Sequence, residues 1–371
     1  MVKMRKVVKT FLFAVFIFVW NFYSIYRIIT SLAPDFSILW LSSKDFWQRQ
    51  NPYTNPNLFT LNPNIPITFL YYAPLIILPY KVAQAIFVIF SFLATILCFY
   101  LSLKILKIKL GWSYYLLSLS LIFLAFPTKF TLGMGQINTI VFSLFLLSYF
   151  FYKKQELGKS GIFLGICVSL KPILAFSFLF YILKRQWKVI WYAGLLILLG
   201  LVAALLIAGP GIFIYWAKEV IPHFLVFSGR EVYYNQGIIG FVSRMFGDMG
   251  IRQYLNAAVS AFLILITSSL TLIKKKEDLE LSLFIITLLL IDTLSWQHHF
   301  VWLMFPIIIL GYYVARSRKV CLGLLIIFSY LLISWNFKNP SLFSQFPESL
   351  VLSHTFYGTF MLYLLNVLLL K

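Results

Sequence analysis

The chain has 371 residues, of which 61% are hydrophobic and 11% charged, where soluble domains carry about 25% charged residues. Its mean hydropathy of +0.90 leaves too little polar surface for a water-soluble fold, and apolar runs of about 20 residues from end to end leave no stretch for a separate soluble domain. The formal net charge of +20 sits on short connectors between those runs, a pattern of cytoplasmic loops facing anionic lipid and not of a nucleic-acid surface.

The N-terminal segment carries Lys3, Arg5, Lys6 and Lys9 ahead of an apolar run over 10–32. That run exceeds a signal-peptide core, so a retained first span with a cytoplasmic N-terminus is expected. Further basic clusters follow at Lys104/Lys107/Lys109, Lys153/Lys154/Lys159, Lys184/Arg185/Lys188, Lys274/Lys275/Lys276 and Arg316/Arg318/Lys319. With all of them on the inner side, the expected fold is an all-α, polytopic transmembrane helical bundle of about twelve spans. After 10–32 these fall at 82–103, 113–126, 136–152, 161–170, 172–183, 189–208, 253–273, 280–296, 299–315, 320–335 and 353–370. Both termini are then cytoplasmic, and residues 1–371 form one integral domain of the plasma (inner) membrane.

The pieces 161–170 and 172–183 are short and meet at Lys171-Pro172, where proline breaks a helix. Broken helices are tolerated in a membrane where protein or a water-filled cavity satisfies the backbone. Lys171 is therefore expected to line a cavity, where its cation suits a phosphate; snorkelling to the interface is the plainer alternative. Span 113–126 is also short and precedes Pro127.

Two long outer loops remain, 33–81 and 209–252, and function is expected there. In the first, Phe36, Leu39/Trp40, Ser43 and Phe46/Trp47 share one helical face, as in a helix lying in the membrane interface. Asn51-Pro52-Tyr53 ends that helix, and Tyr71-Tyr72-Ala73-Pro74 leads back to the membrane. Asp35 opens the helix: an N-cap is one reading, a general base toward an acceptor hydroxyl the other. Asp45 reads as a residue on the solvated face. In the second loop, Tyr233-Tyr234-Asn235-Gln236-Gly237 with Arg244 combines aromatic platforms, amides and a guanidinium, which suit sugar hydroxyls and phosphate; an interfacial aromatic girdle is the alternative.

Gly135-Gln136-Ile137-Asn138 marks another outer turn, with an interhelical amide pair as its plain reading. In Ser295-Trp296-Gln297-His298-His299-Phe300, adjacent histidines point to different faces, so one at most enters a given site. Two histidines without a third ligand make a poor zinc site, and phosphate contact or proton transfer fits better. Asp292, one turn below Trp296, is placed to orient a histidine. Cys98, Cys167 and Cys321 lie in apolar runs without CxxC spacing and read as small buried hydrophobes. No metal site or cofactor is expected. There is no P-loop, GxGxxG, HExxH or GxSxG.

Taken in order, Asp35-Phe36, Asn51-Pro52-Tyr53, Tyr72-Ala73-Pro74 with Pro79-Tyr80, Gly135-Gln136-Ile137-Asn138, Gly161 through Gly165, Leu170-Lys171-Pro172, Asn235-Gln236-Gly237 with Arg244, and Ser295-Trp296-Gln297-His298-His299 resemble the C-type fold of membrane glycosyltransferases. The resemblance is closer to glycosyltransferase family 87, which includes mycobacterial mannosyltransferases using polyprenyl-phosphate-mannose, and it covers nearly the whole chain. It departs from the family at Gly237, often serine there, and in the loop between Asn51 and Tyr71. It implies a hexosyltransferase with Asp35 as catalytic base and His298 or His299 serving the donor. Lys171 and Arg244 are expected on the donor phosphate, and Gln136, Asn138, Tyr233, Asn235, Gln236 and Trp296 at substrate. The partners are then a polyprenyl-phosphate sugar, a glycolipid or glycan acceptor and membrane lipid, with no nucleic acid. The rival class is a lipid or sugar transporter, but internal repeats typical of transporters are not seen; a membrane scaffold leaves Lys171 and Asp292 unexplained.

Overall fold

The structure is a computed structural model describing residues 33–225, 230, 232–246, 250–343, 345 and 347–371, with scattered positions between 8 and 31. The expected first span falls on that scattered stretch, and most of the N-terminal basic segment lies outside the described residues. Every named element is a helix. Among the described residues the one extended pairing is an isolated antiparallel bridge between Asn235 and Trp296.

Among the described residues five helices are long and apolar enough to cross a bilayer: Tyr80–Ile105, Trp187–Ala208, Ile251–Ile273, Gln297–Ser317 and Glu348–Leu370. Trp112–Leu124 and Phe126–Met134, bent by 63° at Ala125, add a sixth if the pair counts as one span. The chain is thus a multi-pass membrane protein. Each expected span beyond the first overlaps helix, but 280–296 leaves helix after Ile291 and several helices are short, such as Asn138–Lys153, Leu157–Leu170 and Val320–Ser334, so five or six of them, and not about twelve, have the length and apolarity to cross. The break at Lys171-Pro172 is present: Lys171 is extended, a 3₁₀ turn runs Pro172–Phe176, and α-helix resumes at Ser177.

The chain divides into two compact units, one drawn from Met1–Arg27, Cys98–Thr131 and Gly229–Lys371, the other from Ile28–Leu97 and Leu132–Ser228. In the first, helix Glu277–Ile291 is buried continuously from Leu279 to Leu290, as suits a largely apolar helix, and its buried Glu280 accepts the Lys276 N–H at 2.9 Å. Its few hydroxyls are paired inside the bundle: Thr267 with Thr287 at 2.8 Å, and the Asn366 amide donating to Ser282 Oγ at 2.7 Å. Helices Val320–Ser334 and His354–Leu370 approach closely at Gly358, where a Cβ would lie 2.7 Å from the Ser329 carbonyl.

In the second unit, helix Leu157–Leu170 packs on Trp187–Ala208 through Gly161 and Gly165. Cβ atoms there would meet the Val189 carbonyl at 2.6 Å and the Ala193 carbonyl at 2.9 Å, so the small-xxx-small spacing serves close helix approach. The first outer loop closes on a core of Phe46, Tyr53, Phe69, Ala204, Ile212 and Val220. Pro210–Leu225 runs on as helix with a π turn at Trp216–Val220. Pro222 lacks an N–H and crowds the preceding turn, and the wider π turn takes up that misfit.

Two expectations are corrected. Asp45 is not on a solvated face: it is 7% exposed and its carboxylate accepts a 2.7 Å hydrogen bond from Asn55. The helix carrying it buries more than one face, because the loop after Asn51 folds back over it; Ser42 donates to the Pro52 carbonyl at 2.7 Å and Tyr53 to the Asn64 carbonyl at 2.8 Å. Cys98 and Cys167 are buried, but Cys321 is exposed on its helix.

Candidate active site

Helix Pro34–Trp47 starts with Ala33 as N-cap and no side-chain cap. Asp35 therefore is not the N-cap. It sits in the first turn, where the helix dipole favours a negative charge, and its Oδ2 accepts a 2.6 Å hydrogen bond from Gln136 Nε2. The contact depends on Gly135. That residue has φ +68°, and a Cβ there would lie 2.6 Å from Phe36 Cβ and 2.9 Å from Ala33 Cβ. Only glycine lets the turn come so near the helix start. Phe36 packs in turn on Phe87 and Tyr80, and the Tyr80 hydroxyl donates to the Ala33 carbonyl at 3.3 Å.

Lys171, at the broken helix, donates from Nζ to Oδ1 of the fully buried Asn138. Burial raises the Asp35 carboxyl above the ordinary aspartate range; the Gln136 hydrogen bond and then the charge of Lys171 pull it part of the way back. One unit thus gathers a partly buried carboxylate, an amide that orients it and a cation whose charge acts on it. A raised carboxyl pKa moves an acid toward the range useful for a general base.

The histidine pair lies in the other unit. Helix Glu277–Ile291 stops at Asp292, whose Oδ1 accepts the Leu294 N–H at 3.2 Å. The chain turns through Ser295 and Trp296 into a 3₁₀ helix at Gln297–Leu303. Two backbone bonds hold that turn against the Tyr233 segment: Gln236 N–H to the Ser295 carbonyl and Gln297 N–H to the Tyr234 carbonyl, both 2.8 Å. Gly237 fits because its Cβ position is 2.7 Å from the Asp292 carbonyl, where a side chain would press on backbone.

His298 and His299 are both buried, with ring planes at 84°. His299 Nδ1 is 3.6 Å from Asp292 Oδ2, so the aspartate faces this histidine as expected. Thr131 Oγ1 donates to the His298 carbonyl at 2.8 Å, and the His298 ring packs on Phe130 and Trp296. Tyr234 stacks on Trp296 and meets Phe130, completing an aromatic wall.

Asn235 and Gln236 tie the backbone together. The Asn235 amide donates to the Arg230 and Thr293 carbonyls, each at 3.0 Å. The Gln236 amide donates to the Tyr233 and Leu352 carbonyls at 2.6 and 2.8 Å, and its oxygen accepts the Phe356 N–H in the first turn of the last helix. Arg244 is buried, donating to Ser353 Oγ at 2.8 Å and the Val232 carbonyl at 3.2 Å. Burial pushes its pKa down to about 10, so it stays cationic at neutral pH.

The sequence reading passed over His354. Its Nε2 lies 2.9 Å from the Tyr233 hydroxyl and 3.4 Å from the Gln297 amide. The available signal was an ionisable residue in an apolar terminal run. The same unit contains an apolar cavity of about 570 Å³ lined by Thr128, Phe300, Met304, Ile326 and Tyr330 among others. Among the described residues no cluster of three or more His, Cys, Asp or Glu is arranged to hold a metal ion.

The family model for glycosyltransferase family 87 matches residues 63–294. Over 214 residues, 56% of this chain, the sequence is 21% identical to the polyprenol-phosphate-mannose-dependent alpha-(1-2)-phosphatidylinositol mannoside mannosyltransferase of Mycobacterium tuberculosis. The match takes in 49% of that protein, so the chain spans about half the length of the curated relative.

Proposed function

We propose, from the premise that the chain belongs to glycosyltransferase family 87, that it transfers a hexose, mannose by analogy with the relative, from a polyprenyl-phosphate donor to a glycolipid or glycan acceptor. The reaction is a direct displacement. Asp35 takes the proton of the acceptor hydroxyl, whose oxygen bonds to the anomeric carbon as the bond to the phosphate oxygen breaks. The polyprenyl phosphate leaves with that electron pair, and Lys171 neutralises it by a charge-assisted hydrogen bond. One base carboxylate, with no second carboxylate as nucleophile, favours inversion.

The observation that carries this reading is Asp35, partly buried, held by Gln136 and electrostatically coupled to Lys171. Gln136 and Asn138 are assigned to substrate beside them. In the other unit, the wall of Tyr233, Tyr234 and Trp296 suits the faces of a sugar ring, and His298 or His299 serves the donor. Arg244 adds positive charge there, while Asn235 and Gln236 hold the Tyr233 segment in place. The apolar cavity beside Phe300 matches part of an isoprenoid chain in polarity and size.

In the same reading the chain crosses the plasma membrane about twelve times, as one functional domain with cytoplasmic termini and outer active residues. Protein cations take the charge-neutralising task, so transfer needs no divalent metal. The test uses purified protein in lipid nanodiscs, radiolabelled polyprenyl-phosphate-mannose and a glycolipid acceptor. Transfer is expected in EDTA and lost in Asp35→Asn. No transfer from any polyprenyl-phosphate hexose refutes the reading, and restoration by Mn²⁺ or Mg²⁺ after EDTA refutes metal independence.

A further inference from the structure

We infer that His354 is a positioning residue that sets the aromatic wall beside the histidine pair, an assignment that rests on the donor role proposed for that wall. His354 opens the last helix. Its Nδ1 lies 2.6 Å from the Leu332 carbonyl, which can only accept, so Nδ1 carries the proton. In the neutral ring Nε2 is then an acceptor, and the Tyr233 hydroxyl, 2.9 Å from it and 3.2 Å from Asn336 Oδ1, donates to the nearer imidazole nitrogen. The Tyr233 oxygen receives the Phe337 N–H at 2.9 Å. The tyrosine is thereby fixed from two sides and the imidazole from two sides.

Tyr233 is next to Tyr234, the ring that stacks on Trp296. Gln297, which also meets His354 at 3.4 Å, directly precedes His298. One imidazole therefore contacts both segments joined by the Asn235–Trp296 bridge. It is itself seated by the close helix contact at Gly358, one turn further on. Any buried histidine needs partners for both ring nitrogens; what singles out His354 is that its acceptor meets Tyr233 and the Gln297 amide, the two residues that flank the wall and the histidine pair.

The experiment compares His354→Phe, His354→Gln and His354→Asn with Tyr233→Phe in nanodiscs, measuring KM for polyprenyl-phosphate-mannose and kcat separately. Glutamine can offer an acceptor near the Nε2 position, whereas asparagine reaches only the Nδ1 position. His354→Phe and Tyr233→Phe are expected to raise donor KM by about tenfold with kcat within about threefold. The double variant is expected to be no worse than the poorer single one, because both remove one contact. Glutamine is expected to recover most of the loss and asparagine little. Wild-type KM in His354→Phe overturns the inference, as does equal damage by glutamine and asparagine that follows folded yield. If wild type transfers no mannose, the inference falls with the functional reading; if wild type is active and His354→Phe is unchanged, it falls alone.

Discussion

The Asp35 carboxylate accepts a 2.6 Å hydrogen bond from the Gln136 amide across 101 positions of sequence. Asparagine at position 35 keeps an oxygen for that bond but cannot take a proton. Asp35→Asn is therefore expected to cut turnover by about 10²–10⁴, the range for loss of a general base, with the folded yield kept. Size-exclusion profiles beside turnover check this. Retained turnover removes Asp35 from the base position.

The same carboxyl sets a pH dependence. Burial raises its folded pKa above the ordinary value, while Gln136 and Lys171 lower it. Catalysis needs the ionised form, so the acidic limb of kcat/KM lies above the usual aspartate range. Gln136→Leu or Lys171→Met removes a lowering influence and moves that limb to higher pH. The linkage has a definite sign: a raised folded pKa gives stability that is full below the unfolded pKa and lost as pH rises through the folded value. Asp35→Asn is accordingly expected to melt no lower than wild type at neutral pH. A limb that stays put in both variants, or a clear fall in melting temperature for Asp35→Asn, counts against this assignment.

Gly135 is expected to tolerate no side chain. At φ +68°, with Phe36 Cβ 2.6 Å from the would-be Cβ, Gly135→Ala combines backbone strain with a clash between fixed atoms. A loss of about 1–3 kcal/mol follows from strain of this kind, together with loss of activity as Gln136 is pushed off Asp35. Gly133 is the control: it lies in helix Phe126–Met134 with nothing within 4 Å of its would-be Cβ. Gly133→Ala is expected to be neutral or stabilising by up to about 1 kcal/mol. Thermal melting of both proteins decides it, and equal behaviour would show that the turn has room.

The helices were legible in the sequence because apolar runs and basic punctuation are local signals. The break at Lys171-Pro172 was legible for the same reason, since a proline removes its own N–H wherever it sits. Asp45 was misread because its burial comes from Asn55 and the loop folding back, and side-chain pattern on one helix cannot report that. The N-cap reading of Asp35 failed by two positions: Ala33 takes the cap, and the carboxylate turns to Gln136. Asn235 and Gln236 have the composition of a sugar subsite, yet their amides are hydrogen-bonded to backbone carbonyls. Composition gives a donor inventory, whereas the partners are set by which loops meet.

Asp292 and His299 give the last prediction. Their atoms lie 3.6 Å apart, so the carboxylate faces the His299 ring and sets its position. Asparagine at 292 keeps an oxygen for the Leu294 N–H and the local turn, but loses the charge. Asp292→Asn is therefore expected to lower turnover by up to about a hundredfold, the cost of a misplaced reacting group, with melting little changed. His299→Ala should mask the effect, since the two act as one unit, whereas His298→Ala should leave the Asp292→Asn penalty in place. Should the penalty persist undiminished on a His299→Ala background, the carboxylate acts on some other group and the donor assignment passes to His298.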